Sequence, residues 1–321
     1  MITVTVSISE NTKGMDTVLA AANLAVLLGD GPDSLQVPAE YANTRGMVAM
    51  GIQPEPGAKN IINMLYDQGA VRGLIMMGED PVAGYPFSSK IQSLLKSLDL
   101  LIVQDIALTE TAKLAHVVLP AAGWAEKEGS FINAEGAMQK LQRIVDSPGQ
   151  SLPDWQILRN LSLAMGKEIG TRNIEGLSAE IKKTVREERT VSDKKRFHVV
   201  RQAAGETPSV EYPLSLVIRD VLQHSGSLST RSKSLDLVVS EPYLELNDED
   251  AVKLGVGENQ HVKVSSRRGT IYLKAKVTDA VPAGSVFTST HFPHGHVNAL
   301  LYYAEDGASN TCAVKVESAK G

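Results

Sequence analysis

Residues 103–133 read VQDIALTETAKLAHVVLPAAGWAEKEGSFIN. An apolar run ends at Asp105, and a polar turn follows, Leu108-Thr109-Glu110-Thr111-Ala112. A second buried-looking run, Val117-Val118-Leu119-Pro120, then gives way to a charged, glycine-bearing loop. Apolar runs without polar alternation mark strands of a sheet covered on both faces. Ending them on hydrogen-bonding groups makes chemical sense if a ligand sits at the strand ends.

Upstream, the same alternation continues. DLLIVQD (99–105) completes the first strand, and GLIMMGEDP (73–81) is another short strand running into a glycine turn. Between them PFSSKIQSLLKSL (86–98) predicts a helix, with Ile91, Leu94, Leu95 and Leu98 at helical spacing. MDTVLAAANLAVLLG (15–29) predicts a buried helix stopped at Gly29, and NIINMLYDQGA (60–70) an amphipathic one. Downstream, LPDWQILRNLSLAMG (152–166) opens at Pro153 and Asp154 and stops at Gly166. The charge-rich stretch 167–205 predicts an exposed helix or a linker.

The style changes near residue 210. Short strands are expected in SLDLVVS (234–240), QHVKVSSRRGTIYLKAKVTD (260–279) and GSVFTST (284–290), with a hairpin turn at Arg268-Gly269. NDEDAVKLGV (247–256) predicts a short helix with Asn247 as N-cap and Gly255 as stop. The expected fold class is α/β: a partial doubly wound parallel-sheet domain over 1–205, then a β-barrel domain over 206–321.

Composition narrows the function. The chain has 321 residues, 43% hydrophobic and 21% charged, with a formal net charge of −5. That charge and the lack of a long basic run argue against a nucleic-acid partner. The single cysteine, Cys312, excludes an intrachain disulfide and a cysteine-ligated iron–sulfur cluster within these residues. The N-terminal residues lack a basic segment followed by an apolar one, and the longest apolar stretch, Val18 to Leu28, is broken by Asn23. A cytoplasmic location is expected, with membrane association only through partners.

Several loops offer ligand chemistry. Gly78 would let the backbone approach a ligand, and Glu79 and Asp80 could accept from sugar hydroxyls or an exocyclic amine; an ordinary strand-to-helix turn is the alternative. Asp105 suits the paired N1–H and N2–H donors of guanine, whereas Thr109 and Thr111 could simply cap a short helix. In HSGSLSTRS (224–232), His224, Ser227, Thr230 and Arg231 gather donors around Gly226, fit for a pyrophosphate or a pterin; a serine-rich linker is the plainer reading. His291, His294 and His296 in THFPHGHVNALLYY read better as a hydrogen-bonding loop than as a metal site, and Asn298 could cap a helix or touch a ligand. A P-loop, a dinucleotide-binding glycine fingerprint and a nucleophile elbow are all missing.

Taken in order, LLIVQDIALTETAKLAHVVLPAAGWAEKEGSFINAEGAMQKLQ (100–142), GEDPVAGYP (78–86) and the segments from HSGSLSTRS to HVNALL resemble the molybdopterin oxidoreductase superfamily. The likeness runs from about Lys13 to Glu317 and is nearest to formate dehydrogenase alpha subunits and the large iron–sulfur subunit of NADH-quinone oxidoreductase. It implies that the barrel is a double-psi β-barrel and that the ligand is a molybdopterin guanine dinucleotide carrying Mo or W. Gly78, Glu79, Asp80, Asp105 and Thr109 would hold its nucleotide end; His224, Ser227, Thr230, Arg231 and Asn298 would contact it from the barrel. The resemblance also implies either a truncated copy or, as the preferred reading, a split subunit with a partner chain, an iron–sulfur-containing N-terminal-half subunit that brings the clusters and the metal ligand inside a larger electron-transfer complex. Two positions depart from the pattern: His116 stands in place of an Asp, and Ala137 in place of an Arg. A cofactor-free structural subunit of an NADH-quinone oxidoreductase arm is the alternative those departures favour.

Overall fold

The structure is a computed structural model. It describes residues 2–3, 14–29, 34–37, 41–52, 71–86, 88–185, 197–200, 206–304, 307–308 and 311–319. The amphipathic helix expected over 60–70 lies outside the described residues. The chain forms two compact units. The first comprises residues 1–5, 21–79 and 93–197; the second comprises 6–20, 80–92 and 198–321. The segment 80–92, which the sequence assigned to the N-terminal domain, therefore clusters with the C-terminal region.

At the heart of the first unit is a three-stranded parallel sheet: β1 (Gly73–Met77), β2 (Leu100–Asp105) and β3 (Val117–Pro120), with β2 central. Ile75 pairs with Ile102, and Ile102 with Val117. The unbroken apolar run explains why β2 is central, since Leu101 and Val103 are fully buried. The edge strands keep Ile75, Met77, Val117 and Val118 exposed. Helix α1 (Gly14–Leu27) ends before Gly29, whose φ is +84°. A helix over Thr44–Ala49 (α2) follows. Between β1 and β2 come a single helical turn, α3 (Pro81–Gly84), and the expected helix, α4 (Ser88–Lys96), whose Ile91 and Leu95 are fully buried. A hairpin, β4 (Gly129–Ile132) with β5 (Met138–Leu141), follows β3. The expected helix at 154 is α5 (Asp154–Ala164), with Pro153 just before it and Gly166 just past it. Part of the charge-rich stretch is helical, Ile174–Thr184, capped by Asn173.

The second unit is built on a closed barrel of six strands: β6 (Leu214–Ile218), β7 (Tyr243–Leu246), β8 (His261–Ser265), β9 (Thr270–Val277), β10 (Ser285–Thr288) and β11 (Thr311–Ser318). The strand order is β8-β9-β7-β10-β6-β11, mixing parallel with antiparallel neighbours. Period-two alternation fills the interior: Ile271, Leu273 and Ala275 of β9 point in, facing Val262 and Val264 of β8. The hairpin turns at Arg268-Gly269, with Ser266 N donating to Gly269 O at 2.9 Å. The capped helix also forms as expected over Asp248–Leu254. Asn247 accepts from Glu249 N, and Gly255 closes it at φ +64°.

One expectation fails. SLDLVVS is no strand; Lys233–Asp236 form a helical turn, and Leu237 and Val238 stand 89% and 64% exposed. The backbone donors of Leu235 and Asp236 turn back to Ser232 O at 3.1 and 2.9 Å. Four apolar residues are too few for periodicity to separate strand from helix. The barrel instead takes β6, β7 and β11 from segments whose strand character the sequence reading did not single out.

Candidate cofactor-binding site

In the first unit, the candidates sit where the parallel strands end. Met77 pairs with Gln104, and Gly78 N donates to Gln104 O at 2.9 Å, so Gly78 and Glu79 leave β1 beside Asp105 at the end of β2. Gly78 has φ +63° with open space where a Cβ would stand, so the need there is conformational. Asp105 is 9% exposed; its Oδ1 accepts from Ile106 N at 2.7 Å and Ala107 N at 3.4 Å, which turns the chain off the strand. Thr109 Oγ1 accepts from Ala112 N at 3.1 Å, so this buried threonine ties down the first residue of the short turn Ala112–Leu114, whose N-cap position is Thr111.

Sequence reasoning missed Gln104, next to Asp105. It is 1% exposed; Nε2 donates to Asp154 Oδ1 at 2.7 Å, and Asp154 also pairs with Lys127. Among the described residues no donor reaches its Oε1. The available signal was a lone amide inside LLIV-QD, a polar group that a buried strand must accommodate.

In the second unit, Asp80 immediately precedes the turn α3. Asn298 lies on the turn Val297–Leu300, is 6% exposed, and donates from Nδ2 to Ala83 O at 2.7 Å. Asp80 and Asn298 thus meet the same turn.

The loop 224–232 is a compact knot. His224 is 4% exposed, with Nε2 2.8 Å from Val239 O and Nδ1 3.2 Å from Ser229 Oγ. A carbonyl only accepts, so Nε2 carries a proton. Ser229 Oγ donates to Gly226 O at 2.6 Å and accepts from Ser225 N at 3.0 Å. Thr230 Oγ1 donates to Ser227 O at 2.7 Å, and the ring of Phe292 meets His224 edge-on at 5.0 Å. His224, Ser229 and Thr230 therefore hold the loop's shape. The side chains of Ser227 and Arg231 are exposed and make no hydrogen bond or ion pair to other described residues.

In the histidine loop, one imidazole has a hydrogen-bond partner. His291 Nε2 lies 2.8 Å from Asp220 Oδ1, and its buried Nδ1 meets no partner among the described residues. Among those residues no group of three or more His, Cys, Asp or Glu is arranged to hold a metal. His116 serves as an acceptor: its Nδ1 takes Leu101 N–H at 2.9 Å while His116 N donates to Leu101 O. A neutral imidazole can do this, and a carboxylate at the same place could as well. At Ala137 the backbone N donates to Asn133 Oδ1 at 2.9 Å, and the Arg45 guanidinium of α2 reaches this loop at Ala134 O. Burial pushes the Cys312 thiol up to about 12, with the charge of Glu206 adding to it, so it stays protonated at neutral pH.

Each unit carries polar groups whose chemistry suits a part of a nucleotide. The strand ends of the first unit present the carboxylates of Glu79 and Asp105, acceptors for guanine N–H groups or ribose hydroxyls. The barrel loop presents an outward guanidinium and a hydroxyl at Arg231 and Ser227, donors for phosphate oxygens.

Comparison with known proteins identifies the family. The family model for molybdopterin oxidoreductase matches residues 1–164, and the Molydopterin dinucleotide binding domain matches residues 214–317. The chain belongs to the molybdopterin oxidoreductase family. Among members of this family, the F420-dependent formate dehydrogenase subunit alpha of Methanocaldococcus jannaschii is 32% identical, over 97% of this chain and 57% of its own length. An NADH-quinone oxidoreductase subunit of Rhizobium meliloti is 31% identical, over 89% of this chain and 36% of its own. The chain thus spans about half the length, or less, of such molybdopterin oxidoreductase relatives. Acetylene hydratase from Pelobacter acetylenicus shares the fold, with a TM-score of 0.60 at 16% identity over 82% of this chain and 46% of that one. The six-stranded barrel falls within the residues that the dinucleotide-binding domain matches, save the last residue of its final strand. No helix among the described residues is long and apolar enough to cross a membrane.

Proposed function

We propose that the chain is the C-terminal part of a molybdopterin-dependent oxidoreductase, of the type found in formate dehydrogenase alpha subunits or in the large iron–sulfur subunit of NADH-quinone oxidoreductase. The observation that carries this reading is the succession of the two matching domains in one chain, cofactor body and then dinucleotide barrel. The bound group, a molybdopterin guanine dinucleotide with Mo or W, would supply the two-electron redox chemistry. The residues of this chain bind and orient. Glu79, Asp80 and Asp105 accept from the nucleotide end, with Gly78 and Thr109 shaping the strand exits. Arg231 and Ser227 donate to the phosphates, on a loop kept rigid by His224, Ser229 and Thr230. One cysteine is too few to hold a cluster, so in this reading the iron–sulfur clusters and the metal ligand come from a partner chain of an electron-transfer complex.

A second reading has one specific support. His224 and Asn298 each give an N–H donor to a protein carbonyl, as expected if the fold persisted as a cofactor-free structural subunit of an NADH-quinone oxidoreductase arm. Metal analysis and acid release of guanine nucleotide from the purified complex decide between them. Mo or W with GMP in proportion to the chain supports the first reading. An intact, active complex with neither defeats it and leaves the second.

A further inference from the structure

Helix α3 is only one turn long, and an isolated turn of helix is unstable in water. Its amides close normally: Ala83 N and Gly84 N donate to Asp80 O at 3.2 and 2.8 Å, and Tyr85 N to Pro81 O at 3.2 Å. Its last carbonyls have no partner within so short a helix. Ser88 Oγ donates to Val82 O at 2.6 Å, and the Asn298 amide, from 215 positions away, donates to Ala83 O.

The turn that delivers Asn298 is itself held from several sides. Val297 and Leu300 are buried in the barrel core. Ser266, 7% exposed at the β8–β9 hairpin, donates from Oγ to Leu300 O at 2.9 Å. Gly269 lies so close that a Cβ there would stand 2.7 Å from Ala299 O. Gly295 lies closer still to Pro242, where a Cβ would stand 2.4 Å from Cγ. His296, at φ +49°, bends the chain into that turn in a conformation side chains rarely adopt.

We propose that Asn298 is a positioning residue: it locks the Asp80–Gly84 turn to the barrel and so fixes where the Asp80 carboxylate stands on that unit. This goes beyond the functional reading and rests on it only where Asp80 is taken as a ligand contact. Asn298 then acts on the ligand through α3, and Ser266 and Gly269 act on Asn298.

Hydrogen exchange of the full chain, with no ligand added, tests the lock separately from cofactor binding. In the wild type the amides of Ala83, Gly84 and Tyr85 exchange far more slowly than an isolated turn would allow. Asn298→Asp keeps the shape and removes the donor. It should speed exchange at those amides about tenfold, leaving strands His261–Ser265 and Thr311–Ser318 protected as before. Asn298→Gln, which keeps an N–H donor, should recover part of the protection. Unchanged exchange at the turn in Asn298→Asp overturns the proposal. If that variant loses the barrel as well, the wild type decides: fast exchange at the three amides refutes the lock, slow exchange with partial recovery in Asn298→Gln sustains it. The absence of pterin from the complex would leave all of these outcomes unaffected.

Discussion

Replacing Gln104 by leucine should cost almost nothing, although the residue is buried and hydrogen-bonded. The lost bond to Asp154 is charge-assisted, worth about 1.5–3 kcal/mol before compensation. Against it stands the Oε1 atom, a buried acceptor met by no described donor, whose removal returns about 1–3 kcal/mol. Asp154 is not stranded, because Lys127 still pairs with it and its side chain is 37% exposed to water. The sum for Gln104→Leu is therefore within about 1 kcal/mol of the wild type, of either sign. Gln104→Glu has the same shape and the opposite outcome. It sets a second carboxylate against Asp154 at 1% exposure, at a cost of about 3–5 kcal/mol. Burial raises the pKa of that new carboxyl above its unfolded value, so the cost is largest at neutral pH and shrinks as acid protonates it. The chain has two tryptophans, Trp124 and Trp155, and both belong to the first unit. Urea unfolding followed by tryptophan emission thus reports on the unit that carries the substitution. A loss above about 2 kcal/mol for Gln104→Leu, with Gln104→Glu no worse, would refute this accounting.

Cys312 should resist alkylation at pH 8 in the folded chain and react once urea is added, as a thiol assay would read. Its pKa is raised on folding, so the stability tied to it is intact below pH 9 and fades as pH climbs through about 12, visible as a falling urea midpoint in alkali. Gly269→Ala should destabilise the barrel by about 1–3 kcal/mol, because the new methyl meets the Ala299 carbonyl; calorimetry should show a lower melting temperature. His116→Leu should accelerate exchange of the Leu101 amide, whereas His116→Asp, which retains an acceptor, should leave that amide protected. Equal rates in the two variants would show that the imidazole contact is idle.

Much of the scaffold was legible because it rests on local chemistry. The run LLIVQD could be little else than a central parallel strand, and Asn247 with Gly255 framed their helix by capping alone. SLDLVVS misled because a short apolar run carries no period. The candidate loops were legible as positions but not as roles. That His224 is committed to Val239 and Ser229, or Asn298 to Ala83, depends on what stands opposite, and nothing at 224 or 298 records it. Gln104 was overlooked for the reverse reason: its amide sits in a run read for its apolar neighbours.

The assignment of residues 80–92 to the barrel unit bears on how such a chain can be cut and recombined. A crossover anywhere between the two matched domains would import a foreign barrel beneath a resident Pro81–Gly84 turn. The Ala83 carbonyl and the amide that answers it would then come from different ancestors. Chimaeras that carry residues 80–92 along with their own barrel should tolerate exchange better than those joined at a single seam.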